Sequence, residues 1–163
     1  MPIIPTLEWI ETTELSMAIR EGMLYYPIIG GIHLLGIALF GGMLVATDLR
    51  LLGWAMPTRS VSDVCHSFRN WKRFGFVVIA ITGLLLMWCE PLKLYRSPAF
   101  WVKVALLILV GVHARFFRDD VYRNTAQLDA AVAMPGRARL AAALSLALWT
   151  GLVLSGRLIA FDD

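Results

Sequence analysis

From Leu24 to Thr47 the chain carries no Asp, Glu, Lys or Arg, and its one histidine, His33, stands in the interior of the run. A bilayer core takes about 20 mostly apolar residues of helix to cross. This run is long enough. In hydrocarbon every backbone polar group must be bonded within its own segment, which makes such a run a helix. Three further runs have the same character. One extends from Phe74 to Cys89, reaching back to an interfacial Trp71-Lys72-Arg73. Another covers Pro98 to Phe117 and contains Lys103, His113 and Arg115. The last covers Leu140 to Gly156, with Arg157 at its end. The expected fold is all-α, an integral membrane four-helix bundle in a single domain over residues 1–163, with transmembrane helices at 24–47, 71–89, 98–117 and 140–157.

Composition agrees. Of 163 residues, 58% are hydrophobic and 17% charged. Soluble domains run at about 45–50% and about 25%. A disordered chain, a disulfide scaffold and an ordinary soluble enzyme domain are excluded. The net charge of +3 does not point to nucleic acid, because the basic residues flank apolar runs, where they act as topology signals. Met1 to Glu21 carries four glutamates and no basic leader region, so no cleavable signal is expected.

Residues 5–20 are too short and too polar to span. Thr6 is expected to cap a first turn that Glu8 and Glu11 favour electrostatically. Leu7, Trp9, Ile10 and Met17 supply an apolar face. An N-terminal interfacial amphipathic helix is expected, with a break near Thr12 and Thr13. Between the third and fourth spans a surface helix is expected around Val121 to Ala133, ended by Pro135 and Gly136.

Orientation follows from the basic residues. Arg50, Arg59, Arg69, Lys72 and Arg73 fall between the first two spans, and Arg118, Arg123, Arg137 and Arg139 between the last two. Only Lys93 and Arg96 lie between the middle pair, and Arg20 before the first. Both termini are therefore expected outside, which in a bacterium is the periplasm, and the localisation is the inner membrane. Cys65 and Cys89 fall on opposite sides, beyond disulfide reach. There is no CxxC or CxxCH, which excludes covalent c-type haem.

The chemistry must come from ionisable residues inside the spans, since polar groups at that depth are costly and are functional candidates by default. His33 lies nine residues into its span, roughly 14 Å below the outer edge. Gly30 and Gly36 stand three residues to either side, nearly on one face, and would leave a shallow groove for a flat macrocycle. Three readings stay open: an axial ligand, with a neutral imidazole on haem iron; an interhelical hydrogen bond, with the glycines (Ala38 and Gly42 as a small-xxx-small pair) only bringing helices together; or a proton or substrate path. His113 is roughly 8 Å deeper than His33, which suits a bis-histidine site badly. Facing headgroups near Arg115 and Arg118 is its alternative. Lys103 sits five residues into its span, and either snorkels or meets an anion near His33, such as a haem propionate. Arg157 can do the same, and Glu90 is the plain ion-pair partner for either. Asp48 is expected to pair with Arg115 or Arg118. Cys65-His66 alone is a weak metal signal, and the methionines show no MxxM cluster of the kind soft copper favours.

Glu8-Trp9-Ile10-Glu11, His33-Leu34-Leu35-Gly36-Ile37-Ala38, Asp48-Leu49-Arg50-Leu51-Leu52-Gly53, Pro98-Ala99-Phe100-Trp101-Val102-Lys103 and Gly156-Arg157-Leu158-Ile159-Ala160 together resemble an uncharacterised family of small bacterial four-helix inner-membrane proteins. The histidine of the first span followed by HxxG, with Lys103 and a later histidine in the third, is similar to membrane protoporphyrinogen oxidases that bind haem b, and to the membrane domain of copper-resistance D proteins. That resemblance implies a haem-ligand role for His33 and the essential-lysine role for Lys103.

The expectation is a b-type haem protein in redox or electron transfer: an oxidoreductase or electron-transfer subunit, holding haem b through His33 with Gly30, Gly36, Lys103, Arg157 and His113 as further contacts. Its partners would be the bilayer, a quinone, a redox subunit or a second copy. Two alternatives stand beside it: a copper or small-solute handling protein using His33 and Met43, and a non-catalytic accessory subunit of a larger membrane complex. No nucleophile–base pair, phosphate loop or dinucleotide fingerprint supports soluble-type catalysis.

Overall fold

A computed structural model describes residues 3–161. Among them every regular element is helical: α1 (Ile3–Glu11), α2 (Glu14–Glu21), α3 (Tyr25–Leu52), α4 (Val61–Cys89), α5 (Pro91–Arg96), α6 (Pro98–Phe117), a π-helical turn (Arg118–Tyr122), α7 (Thr125–Ala130), α8 (Gly136–Leu158) and a final 3-10 turn (Ile159–Phe161). Four helices are long and apolar enough to cross a membrane, which fits a multi-pass membrane protein. Only 6–17% of their apolar windows is buried inside the molecule. Leu34, Leu35, Phe74, Phe76, Ile108 and Phe116 are all exposed. An apolar surface on this scale has lipid as its solvent.

The ends of the helices are chemically marked. Ser60 Oγ accepts from Asp63 N at 3.0 Å, and Ser97 Oγ accepts from Phe100 N at 3.1 Å with Pro98 at the first position. Each bond satisfies one of the free N–H groups of a first turn. Gly53 closes α3 at φ 80, a left-handed conformation, and its N–H bonds Arg50 O. Glycine takes that conformation without steric cost. The α4 N-terminus also has a cap from elsewhere in the chain: Asp129 of α7 accepts from Val61 N at 2.6 Å and Ser62 N at 3.1 Å.

Several boundaries differ from the sequence expectation. α4 begins at Val61, well ahead of Trp71, because Val61 and Val64 are buried on one face while Asp63, Arg69 and Asn70 point outward. The charges of that outer face mask the helix in a hydropathy reading. For the same reason α8 begins at Gly136, not Leu140, and α3 runs on to Leu52 beyond Thr47. The surface helix expected over Val121–Ala133 shrinks to α7, with the π-helical turn before it. Val121 and Leu128 both turn into the interior. The N-terminal segment breaks at Thr12 and Thr13. Its first helix starts at Ile3, so Thr6 is a helical residue and not a cap. The capping threonine is Thr13, whose Oγ1 accepts from Ser16 N at 3.4 Å at the start of α2.

The long helices pack in the order α4–α3–α8–α6, with no comparable contact closing α6 back onto α4. The bundle is therefore open on one side. Its densest apolar core is at one end, where Leu51, Val61, Phe117, Val121, Leu128, Ala138, Ala141 and Ala142 meet. At mid-depth Trp149 of α8 lies against Gly41 of α3, with its ring 5.3 Å from that of Phe40. At the other end α1 and α2 strap onto α4 and α5. Ser16 Oγ donates to Cys89 O at 3.3 Å, Trp88 Nε1 to Thr13 Oγ1 at 3.1 Å, and Leu92 N to Glu11 Oε1 at 3.2 Å.

Candidate functional site

His33 faces α4. Its Nδ1 lies 2.8 Å from Thr82 Oγ1. The Thr82 hydroxyl is 2.6 Å from Val78 O, four residues back, and its single proton serves that acceptor. The oxygen therefore accepts from Nδ1–H. Ile79 O lies 3.4 Å from the same hydroxyl and is a second acceptor beside it. The Thr82 bonds assign the tautomer with the proton on Nδ1, and no hydrogen bond engages Nε2 among the described residues. A Cβ at Gly83 would stand 3.1 Å from His33 Cε1 and 3.7 Å from its Nδ1, so glycine at that position leaves room for this edge of the ring against α4.

The glycines that flank His33 behave differently. A Cβ at Gly36 would meet Ile79 and Val78 at 3.1 and 3.2 Å, so α4 fills that side. Nothing lies within 4 Å of such an atom at Gly30 or Gly31. The groove expected on both sides of His33 is open only on the Gly30 side. Gly42 is open as well and brings no helix close. The close approach belongs to Gly41 and Gly36.

Lys103 of α6 acts electrostatically on His33 and makes no ion pair among the described residues. Its Nζ would be 3.2 Å from a Cβ at Gly156, so glycine at that position gives the ammonium its place on α8. Four helices thus contribute at this depth: His33, Thr82 with Gly83, Lys103, and Gly156. Glu90 accepts from Tyr26 Oη at 3.3 Å and is paired with neither Lys103 nor Arg157. Arg157 is exposed, its guanidinium 5.0 Å from the ring centroid of Phe161.

His113 is not brought to His33. It sits one turn before the opposite end of α6, where its Nε2 donates to Ala141 O at 2.9 Å and its ring packs 4.9 Å from that of Phe117. Cys65 and Cys89 are both free. They lie on one helix, roughly 36 Å apart along its axis. No group of three or more His, Cys, Asp or Glu side chains gathers among the described residues. A shallow groove of 590 Å³ on α6, lined by Ile108, Gly111, Val112, Arg115 and Phe116, faces outward and contains none of the His33 cluster. On an apolar helix such a surface is lipid-facing relief.

Asp48 departs most from expectation. Arg115 pairs with Asp119 at 3.9 Å, and no ion pair joins Asp48 to Arg115 or Arg118 among the described residues. Asp48 is 1% exposed with Ser145 of α8 beside it, and its Oδ2 has no hydrogen-bond partner. Sequence reading missed Thr82, Ser145, Lys72 and Tyr122 as partners of the ionisable residues. Thr82 and Ser145 carried one signal, a hydroxyl inside an apolar span.

Helix composition, open packing and intramembrane ionisable groups define a helical protein of the membrane class. Residues 6–162 match DUF6644, a family of unknown function, and the chain belongs to that family. No curated protein and no solved structure matches it.

Proposed function

We propose that this chain is a b-type haem-binding membrane protein in redox or electron transfer, in which His33 would hold the haem iron through Nε2. The carrying observation is the His33–Thr82 bond. Histidines that ligate metals commonly donate their other ring N–H to a partner that fixes tautomer and orientation, and Thr82 fits that role. Lys103, and Arg157 at the same end of the bundle, are suited to carboxylates of the porphyrin edge. Gly30 offers backbone that a flat ring can approach. The bound group would supply one-electron chemistry. This chain's residues would hold, orient and electrostatically balance it. A quinone or a redox subunit suits the electron partner. The Arg- and Lys-bearing connections at the α3–α4 and α6–α8 ends are assigned to the cytoplasm of a bacterium by charge bias.

The test is an optical spectrum of the full chain purified after expression with haem supplied. A Soret band that His33→Ala removes, and that Thr82→Val weakens by about 10–100-fold in haem affinity, is expected. Colourless wild type, or a band indifferent to His33→Ala, overturns the reading. The same hydrogen bond favours a second reading, in which His33 ties α3 to α4. That reading expects His33→Ala to lower stability in a protein that has no colour to lose.

A further inference from the structure

A second polar cluster lies at the other end of α3, and haem ligation makes no use of it. Asp48 is buried beside Thr47, which is 2% exposed. Lys72 of α4 donates from Nζ to Thr47 Oγ1 at 3.2 Å, and that hydroxyl donates to Met43 O at 2.7 Å. Ser145 of α8 stands beside both Asp48 and Tyr122 of the π-helical turn. The titratable groups that face Asp48 are therefore Lys72 and Cys65 from α4 and Tyr122 from the turn. His113 of α6 stands behind Tyr122 with ring centroids 6.3 Å apart. Lys72 is near enough to act on Asp48 but forms no ion pair with it.

This arrangement leaves one carboxylate oxygen, Asp48 Oδ2, buried with no donor. An ionised carboxylate in that position is shielded from bulk solvent and has no direct counter-charge, and burial of such a charge costs several kcal/mol. A proton on the carboxyl removes that charge. The Lys72 ammonium, held on Thr47 a short distance away, opposes the proton and keeps it exchangeable. We infer that Asp48 and Lys72, framed by Thr47, Ser145 and Tyr122, form a proton-exchange site at this end of the bundle. The proton passes between the Asp48 carboxyl and water at the α3–α4 connection. One O–H bond forms or breaks, and Lys72 keeps its own proton throughout. The inference goes beyond the haem reading and does not depend on it.

Infrared spectroscopy of the full chain in lipid nanodiscs tests it. Wild type at neutral pH is expected to show the C=O stretch of a protonated carboxylic acid. The band should shift in D₂O, be lost in Asp48→Asn, and titrate away as pH rises. Lys72→Met removes the opposing cation and should carry that titration upward by about one pH unit or more, a tenfold or larger gain in proton affinity. An absent band, one that survives Asp48→Asn, or a titration unmoved by Lys72→Met overturns the inference. Should Asp48→Asn fail to fold, Asp48→Glu, which must displace the band if Asp48 is its source, and Lys72→Met decide the matter.

Discussion

Gly41 and Gly42 are neighbours in one helix, yet the structure predicts opposite outcomes for the same substitution. A Cβ built at Gly41 would stand 2.5 Å from Trp149 Cζ2 and 2.6 Å from both Cε2 and Nε1, whereas ordinary contact begins at 3.4 Å. The indole would have to retreat by about 0.9 Å, and it is a rigid plane seated against Phe40. Overpacking of this kind costs about 1–3 kcal/mol. Alanine recovers about 0.5–1 kcal/mol over glycine inside a helix. Gly41→Ala is therefore expected to be net destabilising by about 1–2 kcal/mol. At Gly42 nothing lies within 4 Å, so Gly42→Ala should be neutral or stabilising. For a chain of this size about 1–2 kcal/mol corresponds to a fall of about 2–8 °C in Tm. Thermal unfolding of both variants in the same detergent, followed by circular dichroism, makes the comparison. A Gly41→Ala protein at least as stable as Gly42→Ala would refute the seating of Trp149 on α3 and the reasoning from close approach.

Asp129 gives a pH prediction. Burial raises its carboxyl, but hydrogen bonds from Ser62 and from the Val61 and Ser62 N–H groups, with Arg50 nearby, outweigh that and hold it below the ordinary carboxylate value. A carboxylate depressed on folding stabilises fully above its unfolded value and loses that contribution as pH falls through the folded one. The stability difference between wild type and Asp129→Asn, which is at most about 1 kcal/mol because Asp129 is exposed, should hold at neutral pH and close below about pH 4. A difference that grows on acidification contradicts the cap. Thr13→Val removes both the α2 cap and the acceptor for Trp88, and should cost about 1 kcal/mol. Faster hydrogen exchange at Ser16 and Met17 is its signature, and unchanged protection argues against the strap. Four spans place residues 59 and 93 on opposite membrane faces. In a chain lacking its native cysteines, single cysteines at the two positions should label from opposite sides with an impermeant thiol reagent, and labelling from one side removes a span.

The apolar interiors of the spans were legible because their only demand is solubility in lipid. Their ends were not. Val61 to Trp71 is amphipathic, and its charged outer face cancels its apolar inner one in any average over a window. Ser60 three residues before Asp63 was the available signal, a cap that is read residue by residue. In the candidate site, His33 and Lys103 stood out because an ionisable group in hydrocarbon is conspicuous on its own. Their surroundings did not, since Thr82, Gly83 and Gly156 matter only through which helix packs on which. Asp48 shows the same limit. Charge alone offered Arg115 and Arg118 as partners, but Arg115 is taken by Asp119 one turn away, and the carboxyl is buried with its Oδ2 unpartnered.

α3 is one uninterrupted helix from Tyr25 to Leu52, and it carries both His33 and Asp48. The two are roughly 22 Å apart along its axis and about 60° apart around it. A rod has a single angle of rotation, so its two ends cannot be reoriented separately. Whatever turns His33 off Thr82 also turns Asp48 relative to Ser145 and Lys72. The helix makes an axle of its backbone, and a turn at one end of it is delivered to the other.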